Sequence, residues 1–499
     1  MNNRITRRFI LGGLGAVALP GAAWANAPAV SPRPHLRGED LRARAMADGV
    51  EALISRAGLP GEVACAVADV QTGLRLEAAQ GRLALPPASV AKVLTALYAL
   101  ARLGPDHRFA TRLIADGPVS DGVLSGDLIL AGGADPTLDT NGLADLAARL
   151  KAAGIRELRG RFLVCDGALP YVRTIDAGQP DHVGYSPAVS GIALNFNRVH
   201  FEWRQNGRGY AVAMDARSDR YRPEVQMARM QVKDRRLPVY TYADAGGADQ
   251  WTVASQALGK GGARWLPVRK PALYAGDVFA TLARSGGTVL PRAEAVRTVP
   301  EGGRILAELH SAPLNDLLRD MLKYSNNLTA EMVGMAATAA NGAAPVSLPA
   351  SARAMSDWAA STYGMIGTRL VDHSGLGDAS RMTPVDLVGA LVAARQTGVL
   401  RPLLKPIPMR DARGRIVKGH PILVDAKTGT LNFVSGLGGF MTAPDGTELA
   451  FAIFAADIAH RARLGRADRE VPEGARAWNR KAKILQQKLI ERWGALYGG

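Results

Sequence analysis

The chain has 499 residues, of which 47% are hydrophobic and 21% are charged, values that are ordinary for a globular protein of two or three domains. Its two cysteines exclude a disulfide scaffold and a thiolate zinc cluster. Because Cys65 and Cys165 each lie in an apolar run, two buried thiols are favoured over a disulfide between them. The formal net charge of +16 is not accompanied by a nucleic-acid-binding motif, so we expect no nucleic-acid partner.

The first 25 residues have the pattern of an export signal. Three arginines precede the apolar run Phe9–Leu19, and Ala23–Ala25 offers a small-x-small cleavage site. The segment Thr6–Leu11 also resembles a twin-arginine signal, and general secretory export stays open. We therefore predict an exported protein with a signal peptide at residues 1–25 and a mature net charge of 16 − 3 = +13. Such a charge fits contact with an anionic cell wall or membrane surface, and it equally fits a surface that only aids solubility.

The first part of the chain shows an α/β pattern, and the middle changes character. A charged helical pattern at Arg37–Arg56 precedes a predicted hairpin and helix, at Glu62–Val70, Leu74–Ala79 and Ala91–Leu100. Short strands then alternate with turn signals, at Phe109–Ile114, Gly122–Ala131, Leu158–Cys165 and Phe196–Arg204. One helix is predicted among these strands, at Leu143–Ala153, and a second helix is predicted after them, at Tyr274–Arg284. Between these elements, the polar and basic stretch from Gly207 to Pro271 indicates a small β-rich module.

The last third returns to α/β patterning. Helices are predicted at Leu314–Lys323, Asn327–Ala340, Ser351–Tyr363 and Pro384–Gln396. Three closing strands are predicted at Ile422–Ala426, Phe433–Met441 and Leu449–Phe454. With the early hairpin they would form a five-stranded sheet built from both ends of the chain around an insertion. The basic amphipathic helix Gly474–Leu496 is compatible with a membrane surface, but packing over this sheet is favoured.

Ser89 and Lys92 lie three residues apart at the start of the predicted helix Ala91–Leu100. A three-residue step puts both side chains on one helix face, so the amine can lie beside the hydroxyl. Burial of the amine would disfavour its charged form and let it take the serine proton. The spacing alone does not distinguish this arrangement from an ordinary serine N-cap.

Two further polar motifs follow downstream. Ser325–Asn327 lies in the break between two predicted helices, and Lys427–Thr430 follows a predicted strand. Taken alone, Ser325–Asn327 is also compatible with a polar turn, and Lys427–Thr430 with a strand that ends in a solvated lysine.

In this order, Ser-x-x-Lys, Ser-x-Asn and Lys-Thr-Gly form the motif set of penicillin-binding proteins and serine β-lactamases. The chain resembles D-alanyl-D-alanine carboxypeptidases/endopeptidases of the penicillin-binding protein 4 type over nearly its whole mature length. Longer blocks carry this resemblance: GGADPTL at 132–138, YSPAVSGIALNFN at 185–197, SNNLTAE at 325–331, DHSGL at 372–376 and KTGTLN at 427–432.

The resemblance implies an α/β (α+β) penicillin-binding/β-lactamase-like transpeptidase fold, with a five-stranded antiparallel sheet flanked by helices. It implies a peptidase domain from residues 26–108 and 305–499, an inserted domain II from 109–206 and 269–304, and a small β-rich domain III from 207–268.

The resemblance also implies catalytic roles. Ser89 would attack the carbonyl of the penultimate D-alanine, and Lys92 would accept its proton. Ser325, bridging Lys92 and Lys427, would pass a proton to the leaving amine. Asn327 would orient Lys92 and the substrate amide, while Lys427 would supply positive potential.

Substrate binding is expected along the Lys-Thr-Gly strand, at Thr428, Gly429, Thr430 and Leu431. The two threonine hydroxyls would hold a terminal carboxylate, and the backbone N–H groups of Ser89 and Thr430 would form the oxyanion hole.

Two aspartates outside the three motifs bear on substrate binding. Asp166 matches an aspartate that in this family faces the diaminopimelate amine, although an aspartate before a glycine is commonly a turn residue. Asp378 stands where relatives commonly carry a polar or basic residue. An arginine at this position could bind a distal carboxylate of the stem peptide, and Asp378 speaks against that contact. Nearby Arg381 is a candidate for binding this carboxylate instead, but nothing in the sequence shows where its side chain lies.

We therefore expect a periplasmic DD-peptidase that acts on peptidoglycan stem peptides and is acylated by β-lactams. The eight histidines show no metal-ligand spacing, and no metal or organic cofactor is expected. A serine β-lactamase and a non-catalytic wall-binding protein of the same fold are the rival interpretations.

Overall fold

The computed structural model describes residues 47–342, 346–411 and 413–498. The predicted signal peptide and residues 37–46 of the first predicted helix lie outside the described residues. Of that helix, the described part is α1 (Val50–Ala57). None of the helices in the described ranges is long and apolar enough to cross a membrane.

The elements follow one another in three groups along the chain. The first group is α1, β1 (Glu62–Asp69), β2 (Arg75–Ala79) and α2 (Ala91–Leu103). The second group begins with β3 (Ala110–Asp116), β4 (Val119–Ser120), β5 (Val123–Leu124), β6 (Asp127–Ala131), α3 (Thr140–Ala152), β7 (Glu157–Leu158) and β8 (Phe162–Cys165). It continues with β9 (Arg198–Asn206), β10 (Gly209–Asp215), β11 (Ala228–Lys233), β12 (Tyr240–Asp244), β13 (Asp249–Ala254), β14 (Gly261–Pro267), α4 (Pro271–Ser285), β15 (Ala293–Val296) and β16 (Arg304–His310).

The third group completes the chain. It contains α5 (Leu314–Tyr324), α6 (Asn327–Ala339), α7 (Leu348–Tyr363), α8 (Pro384–Thr397), β17 (Lys405–Pro406), β18 (Leu423–Leu431), β19 (Val434–Thr442), β20 (Glu448–Ala456), α9 (Ile458–Ala462) and α10 (Ala475–Tyr497).

The main sheet takes its strands from both ends of the chain. Its order is β17-β18-β19-β20-β1-β2, and every neighbouring pair is antiparallel. The predicted five-stranded antiparallel sheet is confirmed, and the two-residue strand β17 extends it at one edge. The sequence did not reveal β17 because two residues carry no alternating pattern.

Helices cover both faces of this sheet, and strand β1 contributes side chains to the hydrophobic core on each face. Its alternate residues point to opposite faces. Small Ala64, Ala66 and Ala68 belong to the core shared with α2, whereas Val63 and Val67 belong to the core on the other face, shared with α10. On this first face helix α8 packs against β1 and β20, and the small side chains of β1 let it approach closely.

The terminal helix α10 packs on the second face of the sheet, as predicted. Its apolar stripe, which includes Trp478, Leu485, Leu489 and Trp493, is buried. The Trp493 indole also donates a hydrogen bond to Glu77 Oε2 at 2.8 Å. The stripe is therefore occupied by the sheet and not presented to a membrane.

The inserted region forms further sheets. The order β15-β8-β6-β3-β16 makes a five-stranded sheet, and three three-stranded sheets have the orders β10-β9-β14, β11-β13-β12 and β4-β5-β7. Strand β16 pairs with β3, so the five-stranded sheet continues beyond the limit predicted at residue 304. Strand β9 pairs with β10 and β14, although the limit predicted at residue 206 separates them. The domain limits otherwise remain predictions.

The two cysteines are buried free thiols, which confirms the expectation from the sequence. Burial raises the pKa of the Cys65 thiol to about 12. A thiol in such surroundings packs as a small apolar side chain.

We predict that Trp493→Ala destabilises the protein strongly, because Trp493 is fully buried against the sheet whereas Ile484 on the same helix is 52% exposed. The loss of this ring should cost about 3–5 kcal/mol of the free energy of unfolding. The matched control Ile484→Ala should stay within about 0.5 kcal/mol. Thermal and denaturant unfolding followed by circular dichroism measure both, and equal effects of the two substitutions would contradict the packing described above.

Candidate active site

Ser89 lies on a tight turn that leads directly into helix α2. The turn Ala88–Val90 is a single turn of 3₁₀ helix, and α2 begins at Ala91. The N-cap position belongs to Val90, and no side chain caps the helix, so the interpretation of Ser89 as an N-cap is not supported. Ala88 has a φ of +47°, in the left-handed region that residues other than glycine rarely occupy. Strain of this kind is common at functional sites.

Lys92 is completely buried, and its amine contacts three oxygens. Nζ lies 2.9 Å from Ser89 Oγ, 2.7 Å from Asn327 Oδ1 and 2.9 Å from the carbonyl oxygen of Ser374. Asn327 Oδ1 and the Ser374 carbonyl can only accept hydrogen bonds. A neutral amine therefore uses its two N–H groups on these oxygens and directs its lone pair at the Ser89 hydroxyl. This geometry suits the transfer of the hydroxyl proton to Lys92.

The surroundings of Lys92 shift its protonation equilibrium toward the neutral amine. Burial lowers the pKa of Lys92 to about 8, although the nearby Glu331 and Asp372 carboxyls act in the opposite direction. Burial in turn raises the pKa of both carboxyls. Glu331 accepts hydrogen bonds from the backbone N–H groups of His373 and Ser374, at 2.8 and 3.0 Å. It thereby fixes the loop whose carbonyl holds Lys92.

The Ser-x-Asn motif links two helices. Ser325, between α5 and α6, adopts a left-handed φ of +59°, and the Asn326 side chain caps α6 by accepting from Thr329 N–H. Asn327 accepts from Lys92 and donates through Nδ2 to the carbonyl oxygen of Tyr185 at 2.9 Å. The central asparagine is therefore a structural cap, and its two neighbours supply the contacts of the site.

Ser325 Oγ lies 2.9 Å from Lys427 Nζ. The predicted bridge between the two lysines is seen on the Lys427 side only, because the three oxygens that contact the Lys92 amine do not include Ser325 Oγ. The position of Ser325 after a helix end explains this, since its left-handed backbone aims the hydroxyl at strand β18.

The Lys-Thr-Gly motif lies within β18, which continues to Leu431 and does not end at Ala426 as predicted. A Cβ atom on Gly429 would lie 2.6 Å from the Pro87 carbonyl oxygen and 3.1 Å from the Ser89 nitrogen. Only glycine lets the strand run this close to the Ser89 turn.

Lys427 is also buried, and its amine donates to Ser325 Oγ and to the Thr428 carbonyl. Burial, reinforced by the charge of Lys92, lowers the pKa of Lys427 to about 6. The two amines therefore oppose each other's charge. Loss of the proton from Lys92, or the arrival of an anion, favours a charged Lys427.

These side chains meet at a cavity of about 320 Å³. Ser89, Ser325, Asn327, Thr430 and Leu431 line it, so five of the predicted site residues share one space. Lys92 and Lys427 lie behind its wall, and neither Thr428 nor Gly429 is among the lining residues.

Asp166 does not line this cavity. Its carboxylate forms an ion pair with Arg297 at 2.7 Å, and Arg297 also donates to the carbonyl oxygens of Asp166 and Leu169. Burial raises the pKa of Asp166, and the Arg297 charge partly offsets this effect. Its predicted contact with a substrate amine remains a prediction.

Asp378 binds two arginines that sequence reasoning missed. Arg461 Nε lies 3.0 Å from Asp378 Oδ1, and Arg469 Nη1 lies 2.8 Å from Oδ2. Both arginines line the cavity. Arg381, the substitute considered earlier, donates only to the backbone carbonyls of Asp378 and Ser380. The only signal in the sequence was the basic segment after the last strand, which belongs to no motif.

One cluster in the described ranges has the residue types of a metal site: His200, Glu202 and Asp215. The guanidinium of Arg217 already contacts both carboxylates, at 2.6 and 2.9 Å. These residues do not line the cavity, and a cation would have to displace Arg217 to bind them.

Comparison with known proteins agrees with this site. The model of the "D-Ala-D-Ala carboxypeptidase 3 (S13) family" matches residues 46–471. The D-alanyl-D-alanine carboxypeptidase of Actinomadura sp. (strain R39) is 30% identical over 92% of this chain and 90% of that protein. The D-alanyl-D-alanine carboxypeptidase DacB of Haemophilus influenzae is 26% identical over 74% of this chain and 79% of that protein.

A solved structure has the same fold. The crystal structure of penicillin binding protein 4 (dacB) from Haemophilus influenzae superposes with a TM-score of 0.71 at 22% identity, and it covers 89% of this chain and 99% of that chain. Together, the match of the family model and the fold show that this chain belongs to the D-Ala-D-Ala carboxypeptidase 3 (S13) family, a family of serine peptidases.

Proposed function

We propose that the protein is a serine D-Ala-D-Ala carboxypeptidase that also cleaves D-alanyl cross-links, through an acyl-enzyme on Ser89. The observation that carries the proposal is the position of the Lys92 amine. Two obligate acceptors fix it, and its third contact is the Ser89 hydroxyl.

In the acylation step, Ser89 Oγ attacks the carbonyl carbon of the penultimate D-alanine and its proton passes to Lys92. The backbone N–H groups of Ser89 and Thr430 stabilise the oxyanion, each donor contributing about 3–4 kcal/mol in comparable enzymes. The C–N bond then breaks. The leaving amine receives a proton from Ser325, which lies beside Lys427 and regains a proton through it.

Hydrolysis of the acyl-enzyme completes the cycle. Lys92 first returns the proton of the acylation step to the Ser325–Lys427 pair by way of solvent in the cavity, which makes Lys92 neutral again and replaces the proton given to the leaving amine. Water then attacks the ester and gives its proton to Lys92, which passes it to Ser89 Oγ as the ester C–O bond breaks. A β-lactam would acylate the same serine, but its opened ring stays attached and blocks the water. This step makes β-lactams covalent inhibitors in the proposed scheme.

In the proposed complex the substrate carboxylate binds to Thr430, which lines the cavity, and to Thr428, two residues earlier on the same face of the strand, with Lys427 behind the strand. Support comes from the electrostatics of Lys427, because an arriving anion restores the charge that burial disfavours. Asn327 would hold the substrate amide while it orients Lys92.

We further propose that the protein acts on peptidoglycan stem peptides in the periplasm. This rests on the export pattern of residues 1–25 and on the proposed reaction. The basic surface would favour contact with the anionic wall or membrane surface.

The two rivals have weaker support. The inserted sheets and the family match over residues 46–471 disfavour a β-lactamase, which rapid β-lactam turnover would revive. The intact contacts of Ser89, Lys92 and Asn327 disfavour a non-catalytic scaffold.

The proposal predicts that the purified protein releases D-alanine from a D-Ala-D-Ala peptide and splits purified cross-linked muropeptide dimers. Ser89→Ala should lower both rates by at least about 1,000-fold, because it removes the hydroxyl on which the proposed acyl-enzyme forms. Chromatography with mass detection of the products measures both activities.

The matched control for this test is Ser120→Ala, which removes an exposed hydroxyl and should leave both rates unchanged. Full activity in the Ser89→Ala variant would contradict the proposed nucleophile. Absence of both activities in the folded wild-type protein would contradict the proposed function.

The proposed base predicts the pH dependence of the reaction. Because the neutral form of Lys92 takes the proton and burial lowers its pKa to about 8, kcat for D-alanine release, measured at saturating substrate where the bound carboxylate keeps Lys427 charged, should rise about tenfold per pH unit below pH 8 and level off above it. Lys92→Arg, which cannot lose its proton at these pH values, should show no such rise. A wild-type profile that is flat or falls between about pH 6.5 and 8 would show that Lys92 is not the base.

A further inference from the structure

A second cavity lies on the other side of the Ser-x-Asn motif. It has a volume of about 160 Å³ and shares Tyr185, Ser325 and Asn327 with the cavity that contains Ser89. The far wall of this second cavity is formed by Phe196, Arg198 and Tyr324. The mechanism proposed above does not use this space.

Arg198 is a cation without a counter-ion. Its guanidinium lies between the rings of Phe196 and Trp265, with distances of 5.4 and 5.6 Å from its carbon to the ring centroids. Its Nε is buried and has no hydrogen-bond partner among the described residues. None of the described carboxylates forms an ion pair with it, and the Tyr274 hydroxyl is the one titratable group that favours its charge.

A partly buried arginine without a counter-ion is energetically unfavourable unless a ligand supplies the opposite charge. Burial lowers the pKa of the Arg198 guanidinium, but arginine stays charged at every physiological pH. A partly buried charge is normally paired, and the planar guanidinium matches a carboxylate in two-point contact. The rings of Phe196 and Trp265 lie beside the guanidinium, and Arg198 lines the second cavity, so a carboxylate in that cavity can contact it.

The position beside Ser325 indicates which part of a substrate reaches Arg198. In the proposed reaction, Ser325 gives its proton to the leaving amine, so the leaving group lies beside it. In carboxypeptidase action the leaving group is a single amino acid, whose one carboxylate is taken by Thr428 and Thr430. In cross-link cleavage it is a whole peptide, which extends past Ser325 and carries at least one more carboxylate, at its C-terminus.

We propose that Arg198 binds a second carboxylate of the leaving peptide, remote from the scissile bond, and so favours cross-linked substrates over single stem peptides. This inference rests on the proposed function. It makes Arg198 a specificity-determining residue, and the second cavity becomes the subsite for the departing strand.

A test combines a change in the substrate with a change in the protein. The substrates are a cross-linked peptide dimer with a free carboxylate at the C-terminus of the leaving strand, and the same dimer with that carboxylate amidated. For the wild-type full chain, amidation should lower kcat/KM about 10- to 100-fold, the effect of one charge-assisted contact. Arg198→Gln should lose the same factor on the free acid and show no further loss on amidation.

Two comparisons separate this effect from damage to the fold. The ratio of dimer cleavage to D-alanine release should fall about 10- to 100-fold in Arg198→Gln and partly recover in Arg198→Lys, which keeps the charge but loses the planar fork. Arg204→Gln, which changes an exposed arginine of the same strand β9, should leave the ratio unchanged. Acylation by a labelled penicillin reports whether the Ser89 cavity is intact in each variant.

The outcomes distinguish this inference from the proposed function. Equal cleavage of the two dimers by the wild-type protein, or undiminished discrimination between them in Arg198→Gln, would overturn the role of Arg198 while the DD-peptidase assignment stands. Release of D-alanine without any cleavage of dimers would overturn it in the same way. Inactivity of the wild-type protein on every substrate, without acylation by penicillin, would instead refute the proposed function.

Discussion

The burial of the Lys92 amine is the constraint on which the rest of the site depends. An amine removed from water must be neutral or fully hydrogen-bonded, and here two fixed acceptors leave it one remaining contact, the Ser89 hydroxyl. Each acceptor is itself held by another part of the fold. Asn327 bonds to the Tyr185 carbonyl, and the Ser374 loop bonds to the buried carboxylate of Glu331. The alignment of Ser89 and Lys92 is therefore a property of the surrounding structure more than of either side chain.

The fold makes this alignment possible by bringing distant segments onto one sheet. Strands from both ends of the chain pair as β20 and β1, so the insertion between them does not interrupt the peptidase core. Alanines on one face of β1 let helix α8 pack closely against the sheet, and Gly429 lets β18 pass within van der Waals distance of the Ser89 turn. The same closeness leaves Lys427 without solvent, which makes its charge responsive to an anionic substrate.

Much of this could be predicted from the sequence, because local patterns determine it. The spacing of Ser89 and Lys92 predicts their contact, and the hydrophobic periodicity of α10 predicts that this helix packs on the sheet. The remaining features depend on partners far away along the chain. No local pattern indicates that Asp166 pairs with Arg297, that Asp378 pairs with Arg461, or that Ser325 contacts only one of the two lysines. Arg198 lies inside no motif with a chemical meaning, and only the structure shows that it shares a cavity with Ser325 and has no counter-ion among the described residues.

The central claim is that the buried amine of Lys92 activates Ser89 for acylation. It is tested most directly by treating the full chain with benzylpenicillin and measuring the intact mass, followed by peptide mapping of the adduct. If Lys92 activates Ser89, the wild-type protein should carry one penicillin per chain, attached to the peptide that contains Ser89. A folded Lys92→Met variant should carry no adduct over the same time. An adduct on another serine, or equally fast acylation of the Lys92→Met variant, would contradict it.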